Sequence, residues 1–517
     1  MSMQNLPGRL LTVAGAVTGA VVALPVPLVQ AQAAVASTSV RCSVADLISA
    51  ANDSPGPDTL VLARKCTYRL TAPDTTNPAN GLPVITGELT VKGNGATITR
   101  RRSAPKFRVL AVAENGNLTL NRATISGGSA PDCPIVPGVT AACGGGICNL
   151  GTLTVNDSKM RDNTATSDVF AEGGGIDSDG TATINNTEIS HNSSVYNGTE
   201  EGGAADGGGI ANDGPLTVKN SWVVGNSVKV TADTNSFAFG AGQASFADAT
   251  VQHSTFSGNL ASAPGGFARA TLTVSTPGTL TVTDSVLRDN TADAPHGFAQ
   301  GGALAGNSHL IVTRTLVLAN HVTAQDGTAQ GGGIRVAADG LLTIGDSTVR
   351  GNTAHAKGEN GVAEGAGIDN PVGGTVEADR TWITGNIAYA PDGTSKGGGL
   401  YQAVGSATLT RSTVSGNRAG DGRRHLQGIR LGHAQRHQGT EQPSEQLQPA
   451  GQHHRLHRLS GRRHVKCRAS RPIRSGSSGS GPCAAVHPED CACYVGGAVA
   501  EEPCGGLGDF VRVRRPA

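Results

Sequence analysis

The residues of this chain that could do chemistry are aspartates at recurring positions of an internal repeat. Asp177 and Asp369 each follow an isoleucine behind a glycine cluster, and Asp157, Asp284 and Asp346 each lie one residue before a serine. Clustered carboxylates could bind Ca²⁺ or supply the acid and base that cleave a polysaccharide. Such a cluster must come from neighbouring repeats, and these aspartates come from repeats that are distant or not consecutive. We therefore interpret them as surface residues beside turns.

The other common catalytic groups form no recognisable constellation either. The histidines up to residue 355 occupy unlike positions of the repeat and lack acidic partners at metal-binding spacing. There is no nucleophile elbow, no phosphate-binding loop and no Ser-His-Asp order. The sequence consequently assigns no catalytic residue, no metal ligand and no cofactor.

Two tryptophans, Trp222 and Trp382, occupy one identical position of the repeat. Strand alternation predicts that both point outward, where an indole ring can stack on a sugar. Val286 and Leu316 share that position, so a loop or a partner that covers an apolar strip is an equal alternative. The two tryptophans are the candidate binding residues. Loops of uneven length before the glycine clusters provide a second candidate binding face.

The elements that must position these side chains are repeats of about 32 residues. Each contains a glycine cluster followed by Ile or Leu, an alternating strand such as residues 152–155, and the motif Ser/Thr-x-apolar-x-x-Asn. Glycine triplets predict tight corners. The final asparagines should stack on one another and form a structural ladder rather than a catalytic site: Asn163, Asn192, Asn226, Asn259, Asn290, Asn320, Asn352, Asn386 and Asn417.

A fixed period with strand-like alternation predicts an all-β solenoid, a single right-handed parallel β-helix. Two less regular segments, residues 88–98 and 109–120, predict introductory coils. We expect the β-helix to span residues 87–422. About eleven coils at the ~4.8 Å separation of neighbouring strands would form a rod about 50 Å long.

The residues before the β-helix predict export and a cap. Residues 1–33 combine an arginine, a long apolar run and Ala-Gln-Ala, as in a secretory signal peptide. In residues 34–86, Ser43 can cap a short helix that covers the open edge of the first coil. Cys42 and Cys66 flank this helix and could pair in an exported chain, and Cys133 and Cys143 could close the loop between them.

The segments 42–48 and 82–91, together with the Gly-Gly-Gly-Ile units, resemble bacterial secreted right-handed parallel β-helix repeat proteins, which are described as pectin-lyase-like or similar to polymorphic outer membrane proteins. The resemblance covers about residues 40–420. It implies the fold. The shared motifs are structural, so they give little information about function.

Residues 423–517 interrupt the repeat and contain 8 of the 14 histidines. This tail has 15 Lys and Arg against 7 Asp and Glu, which leaves 26 against 33 in the rest of the chain. A genuine disordered basic tail is one interpretation. Our hypothesis is instead a one-base slip near Gly422, because the shifted frame can read Arg423–Leu426 as Gly-Gly-Thr-Tyr and Leu459-Ser460 as a stop.

These observations predict a secreted or cell-envelope surface protein that binds or scaffolds as a monomer. The expected partner is a polysaccharide or another surface protein. The acidic body excludes nucleic acid as an expected partner, and no segment after the signal peptide is predicted to span a membrane. The alternative is a carbohydrate-active, pectin-lyase-like enzyme that acts on acidic polysaccharide.

Overall fold

The computed structural model describes residues 36–420 except 53, 55–56, 131–140, 233–234, 270 and 276. Within this range the chain winds into a parallel β-solenoid of about 11 turns, which confirms the predicted fold. The predicted signal peptide and the tail lie outside the described residues.

Four parallel sheets, which we name A to D in the order in which each coil visits them, run along the rod. A coil contributes a long and a short strand to sheet A, then one strand each to sheets B and C. The glycine corner follows, and one strand of sheet D completes the coil. The register is maintained from coil to coil, as in the pairing of Leu153 with Ala182 and of Val155 with Ile184.

The strands of sheet A are Ala36–Val40, Asp58–Leu62, Thr67–Leu70, Glu88–Arg100, Asn117–Ser126, Thr152–Asn156, Lys159–Arg161, Thr181–Asn185, Glu188–Ser190, Leu216–Lys219, Trp222–Val224, Ala249–Gln252, Thr255–Ser257, Thr279–Thr283, Val286–Arg288, His309–Thr313, Leu316–Leu318, Leu341–Gly345, Thr348–Arg350, Thr375–Asp379, Trp382–Thr384, Ser406–Thr410 and Thr413–Ser415. Those of sheet B are Ser129–Ala130, Thr164–Ser167, Ser193–Tyr196, Ser227–Val230, Leu260–Ser262, Thr291–Asp293, His321–Ala324, Thr353–Ala356, Ile387–Tyr389 and Arg418–Ala419.

Sheet C contains Ala141–Cys143, Phe170–Glu172, Ala204–Asp206, Phe237–Phe239, Phe267–Arg269, Phe298–Gln300, Thr328–Gln330, Val362–Glu364 and Thr394–Lys396. Sheet D contains Leu110–Val112, Ile147–Asn149, Ile176–Ser178, Ile210–Asn212, Gln243–Ser245, Leu272–Val274, Leu304–Gly306, Ile334–Val336, Ile368–Asn370 and Leu400–Gln402.

The interior divides into two cores of different side-chain size. Under sheets A and D, large apolar residues such as Leu153, Val155 and Ile176 are fully buried. Between sheets B and C the core consists mostly of alanine, including Ala171, Ala205 and others in register with them. Small side chains allow these two sheets to approach closely.

Gly174 shows why the corners need glycine. A Cβ at this position would lie 2.4 Å from the carbonyl carbon of Ser193 and 2.5 Å from the oxygen of Gly208. Backbone at two places in the next coil therefore occupies the space that any side chain would need.

The first coils are capped as predicted, although with more strands than expected. Helix α1, Val44–Asn52, buries Leu47 and Ala50, and the hydroxyl of Ser43 accepts a hydrogen bond from the amide of Asp46 at 3.4 Å. The strands at 36–40 and 58–62 pair in parallel and extend sheet A into the cap. The prediction missed them because they lack glycine clusters.

Candidate functional site

The repeated asparagines form a continuous ladder, as predicted. The Nδ2 of Asn259 donates to the carbonyl of Val223 at 3.0 Å and to the Oδ1 of Asn290 at 2.9 Å. Its own Oδ1 accepts from the amide and from the Nδ2 of Asn226, at 3.0 and 3.1 Å. The same pattern joins consecutive ladder residues from Asn163 to Asn417. These side chains are committed to the fold.

A second ladder was not predicted and is made of hydroxyl groups at the bend of sheet A. The hydroxyl of Thr187 accepts from the amide of Ser158 at 3.3 Å, and the hydroxyl of Ser221 accepts from the amide of Thr187 at 3.1 Å. The same bond recurs in later coils up to Ser412. The signal was the recurring Ser/Thr of the repeated motif, which strand alternation alone does not assign to a ladder.

The two tryptophans lie on the outer face of sheet A. Trp222 is 48% exposed and Trp382 50% exposed. Strand pairing places them in one column, and five coil spacings of ~4.8 Å put them roughly 24 Å apart. We call this column the tryptophan strip; its members, paired in register, are Trp222, Thr255, Val286, Leu316, Thr348 and Trp382.

Charged side chains flank the tryptophan strip on both edges. Arg288 and Arg350 end the short strands on one edge. On the other edge the guanidinium of Arg314 lies 2.7 Å from Asp284, and that of Arg380 lies 2.8 Å from Asp346.

These flanking contacts lower two carboxyl pKa values. The hydrogen bond from Arg314 holds the pKa of Asp284 below its ordinary value, and the hydrogen bond from Arg380 does the same for the pKa of Asp346. The strip is therefore a mostly apolar column with a row of ions on one edge and two arginines on the other.

Other aromatic rings in the described residues are less available to a ligand. Phe237, Phe267 and Phe298 come from consecutive coils of sheet C, and their rings stack with centroids 5.3 and 4.9 Å apart. Stacked rings use their faces on each other. The tryptophans have no such ring neighbour in the strip, because the residue next to each in register is a threonine, Thr255 beside Trp222 and Thr348 beside Trp382.

A polar network fills the notch between sheets C and D at the glycine corner. Here the Oε1 of Gln300 accepts from Arg269 at 2.8 Å and from Arg335 at 3.0 Å. Gln300 in turn donates to Gln330 at 3.2 Å, and Gln330 donates to Glu364 at 3.0 Å. These residues cross four coils as one connected set.

The charged members of this network are buried except Lys396, whose side chain is 46% exposed. Arg335 and Asp369 form an ion pair at 3.5 Å, with their side chains 2% and 0% exposed. Glu364 is also buried and accepts from Lys396 at 2.9 Å. The interpretation of Asp369 as a surface residue was wrong, because the corner folds back and covers the outward position of sheet D.

The same correction applies to Asp177 near the start of the solenoid. Asp177 is buried and shares the notch with Glu172 and Asp206, which are paired in register on neighbouring coils. Burial, together with the charge of Asp213, raises the pKa of Asp206 well above its ordinary value. Sequence reasoning missed this group, although a polar residue just before each glycine cluster was a usable signal.

Three potential metal ligands also meet in this notch. Ligand atoms of Cys143, Cys148 and Asp177 lie within 4.8 Å of one another, with the two sulfurs 3.2 Å apart. Cys143, however, is disulfide-bonded. A sulfur in a disulfide is not available as a thiolate, the form that binds metals, so this group does not support a metal site.

The predicted disulfide between Cys42 and Cys66 is present and ties helix α1 to the first coil. Cys133, the predicted partner of Cys143, lies outside the described residues. In the described part of the chain, no helix combines the length and apolarity needed to cross a membrane.

Comparisons with known proteins return no match: neither a family model, nor a curated protein, nor a solved structure is significantly similar to this chain. The site must therefore be interpreted from its own geometry.

Proposed function

We propose that this chain is an exported surface protein whose solenoid binds an extended polysaccharide along the tryptophan strip without cleaving it. The signal-peptide pattern of residues 1–33 supports export. The disulfide Cys42–Cys66 agrees with an oxidising compartment.

The observation that carries the proposal is the pair of half-exposed indole rings in one column of a flat sheet. Both tryptophans are among the four most exposed large hydrophobic side chains of the described residues, although aromatic residues make up only 3% of the chain. An indole combines a large apolar face with a hydrogen-bonding N–H, which suits it to the faces and hydroxyls of sugars. Two such anchors about 24 Å apart favour an extended polymer that runs parallel to the rod.

Burial of the carboxylates in the notch argues against cleavage there, and the solvent-accessible Asp284 and Asp346 beside the strip are paired with Arg314 and Arg380. In pectin-lyase-like enzymes and glycosidases the carboxylates must reach the substrate. Glu172, Asp177 and Asp206 are at most 8% exposed. A polymer lying on sheet A would not contact them.

The test is binding of a panel of soluble neutral and acidic polysaccharides, measured by affinity electrophoresis. Each of Trp222→Ala and Trp382→Ala should weaken binding about tenfold, the loss of about 1.4 kcal/mol for one stacked ring. Val169→Ala and Val372→Ala remove exposed apolar residues away from the strip and should have no effect.

Incubation of the same polymers with the protein, with and without Ca²⁺, distinguishes binding without cleavage from the enzymatic alternative. New unsaturated or reducing ends would favour a carbohydrate-active enzyme. Equal binding by the tryptophan variants and the valine controls would instead remove the strip from the account and locate the polysaccharide site on another face.

A further inference from the structure

The last described coil leaves the solenoid open. Val349 and Ile383, the inward residues of two preceding short strands, are fully buried, whereas their counterpart Val414 is only half-buried. Leu409 is likewise only partly buried at the end of the core. Both positions require another coil to cover them.

The hydrogen-bond ladder ends at the same place. Asn417 accepts from the amide and Nδ2 of Asn386, both at 2.9 Å, and donates to the carbonyl of Ile383 at 2.8 Å. In each earlier coil the ladder residue also donates to the asparagine of the next coil, as Asn386 does. The exposed edge thus presents a row of backbone and amide groups whose natural complement is one more parallel coil.

The codons after Gly422 can supply that coil when they are read one base downstream. From Arg423 to Ala434 the shifted frame admits Gly-Gly-Thr-Tyr-Lys-Ala-Ser-Ala-Ser-Ala-Thr-Leu. The last described coil reads Gly397-Gly-Gly-Leu-Tyr-Gln-Ala-Val-Gly-Ser-Ala-Thr-Leu to Leu409. The shifted sequence, counted from Gly422, aligns without a gap with the sequence of the last described coil. After the glycines, the residues Tyr, Ala, Ser, Ala, Thr and Leu are identical in both.

The match continues through both ladders. The shifted codon that begins in His437 admits Thr, opposite Ser412 of the hydroxyl ladder. The one in Gly439 admits Val, opposite Val414, and the one in Gln442 admits Asn, opposite Asn417. Codon degeneracy leaves several residues open at each position, and a residue that fits the alignment is among them.

We propose that the open end of the solenoid is the docking surface for one further coil, encoded one base out of frame directly after Gly422. The proposal does not depend on the proposed function. The added coil would cover Leu409 and Val414 with its own inward residues. It would also give Asn417 an acceptor in the next ladder position.

The experiment compares the full chain as given with a full chain whose codons after Gly422 are restored to the shifted frame. Amide hydrogen exchange in Ser406–Thr410 and Thr413–Ser415 should slow at least about tenfold in the restored chain. A control restored chain, with Ala in place of the asparagine encoded across Gln442, should lose much of this protection.

Two results would overturn the proposal. One is equal exchange in the given and restored chains. The other is a given chain that is already protected at these strands and sediments as a dimer, because a second copy would then occupy the open end. The coding DNA provides an independent check, since codons that exclude the tyrosine, the threonine or the asparagine named above would also contradict it.

Discussion

At the residue scale, the side chain of one asparagine per coil forms hydrogen bonds with a backbone amide and a backbone carbonyl at a corner where no strand partner is available. Each ladder amide links three successive coils through both of its polar atoms. Buried donors and acceptors that lose their partner cost about 1–3 kcal/mol each. The ladder therefore makes each corner intolerant of a nonpolar replacement.

Asn259→Ala should lower the free energy of unfolding by about 2–4 kcal/mol, because it leaves the buried amide of Asn226 without its acceptor. The measurement is denaturant unfolding followed by circular dichroism. Asn185→Ala removes a half-buried amide on the outer face of sheet A. It should cost less than about 1 kcal/mol, and similar losses for both variants would contradict a special role of the ladder.

Glycines of the repeat differ in what they tolerate. Gly174→Ala should destabilise the chain by about 3 kcal/mol or more or prevent folding, because its Cβ would overlap the backbone of the next coil at Ser193 and Gly208. Gly258→Asn is the matched control. Gly258 has a φ of +63° with open space around it, and Asp289 adopts a φ of 56° at the equivalent position. Thermal melts of the two variants should differ clearly, and equal melts would argue against the corner packing.

At the element scale, the bend of sheet A carries an alternating row of ions: Asp284, Arg314, Asp346 and Arg380. Single exposed ion pairs contribute little. A row in which each charge faces opposite charges on neighbouring coils can contribute more to the stability of the fold than a single pair, and this contribution decreases as the salt concentration rises. The row should therefore help hold the register between coils.

The pH dependence of this row has a defined sign. The pKa values of Asp284 and Asp346 are lowered from 3.8 by hydrogen bonds from arginine. Their contribution to stability is therefore complete above that ordinary value and is lost as the pH falls through the lowered pKa values. The melting temperature of Asp284→Asn/Asp346→Asn should lie below that of the unsubstituted chain at pH 7, and the two should converge as the pH falls below the lowered pKa values.

The control for this experiment is Glu359→Gln, which removes an exposed carboxylate from a loop. It should leave the pH profile unchanged. A constant difference between the double variant and the unsubstituted chain at all pH values would show that packing, and not charge, is responsible.

The sequence predicted the elements that repeat and missed what depends on neighbouring coils. The strands around Leu153 and the corner before Ile147 follow from alternation and glycine alone. The burial of Asp177 and Asp369 does not, because it results from the way the corner folds back over sheet D. The column shared by Trp222 and Trp382 was predictable, since a position within the repeat maps directly to a position around the rod.

At the scale of the whole molecule, the stability of a solenoid is approximately the sum of its coils and of the interfaces between them. The N-terminal end is closed by helix α1 and the disulfide of Cys42. The other end of the described chain is open at Ser406–Thr410. Unfolding should therefore begin at the open end, and a coil added there should protect the whole rod.

The same repetition shapes the proposed binding face. A rod with fixed coil spacing presents the same outward position many times along one line, which is a natural match for a polymer. Trp222 and Trp382 mark two points on such a line, and the buried acidic notch lies on other sheets. Binding of a polymer along the strip should therefore change the tryptophan fluorescence, whereas cleavage at the notch should not.

The most direct test is intrinsic fluorescence, because the chain contains only 2 tryptophans and both lie in the strip. During titration with the polysaccharide that binds best, their emission should shift to the blue while no new polymer ends form. A polymer that is cleaved with no change in tryptophan emission would contradict the account.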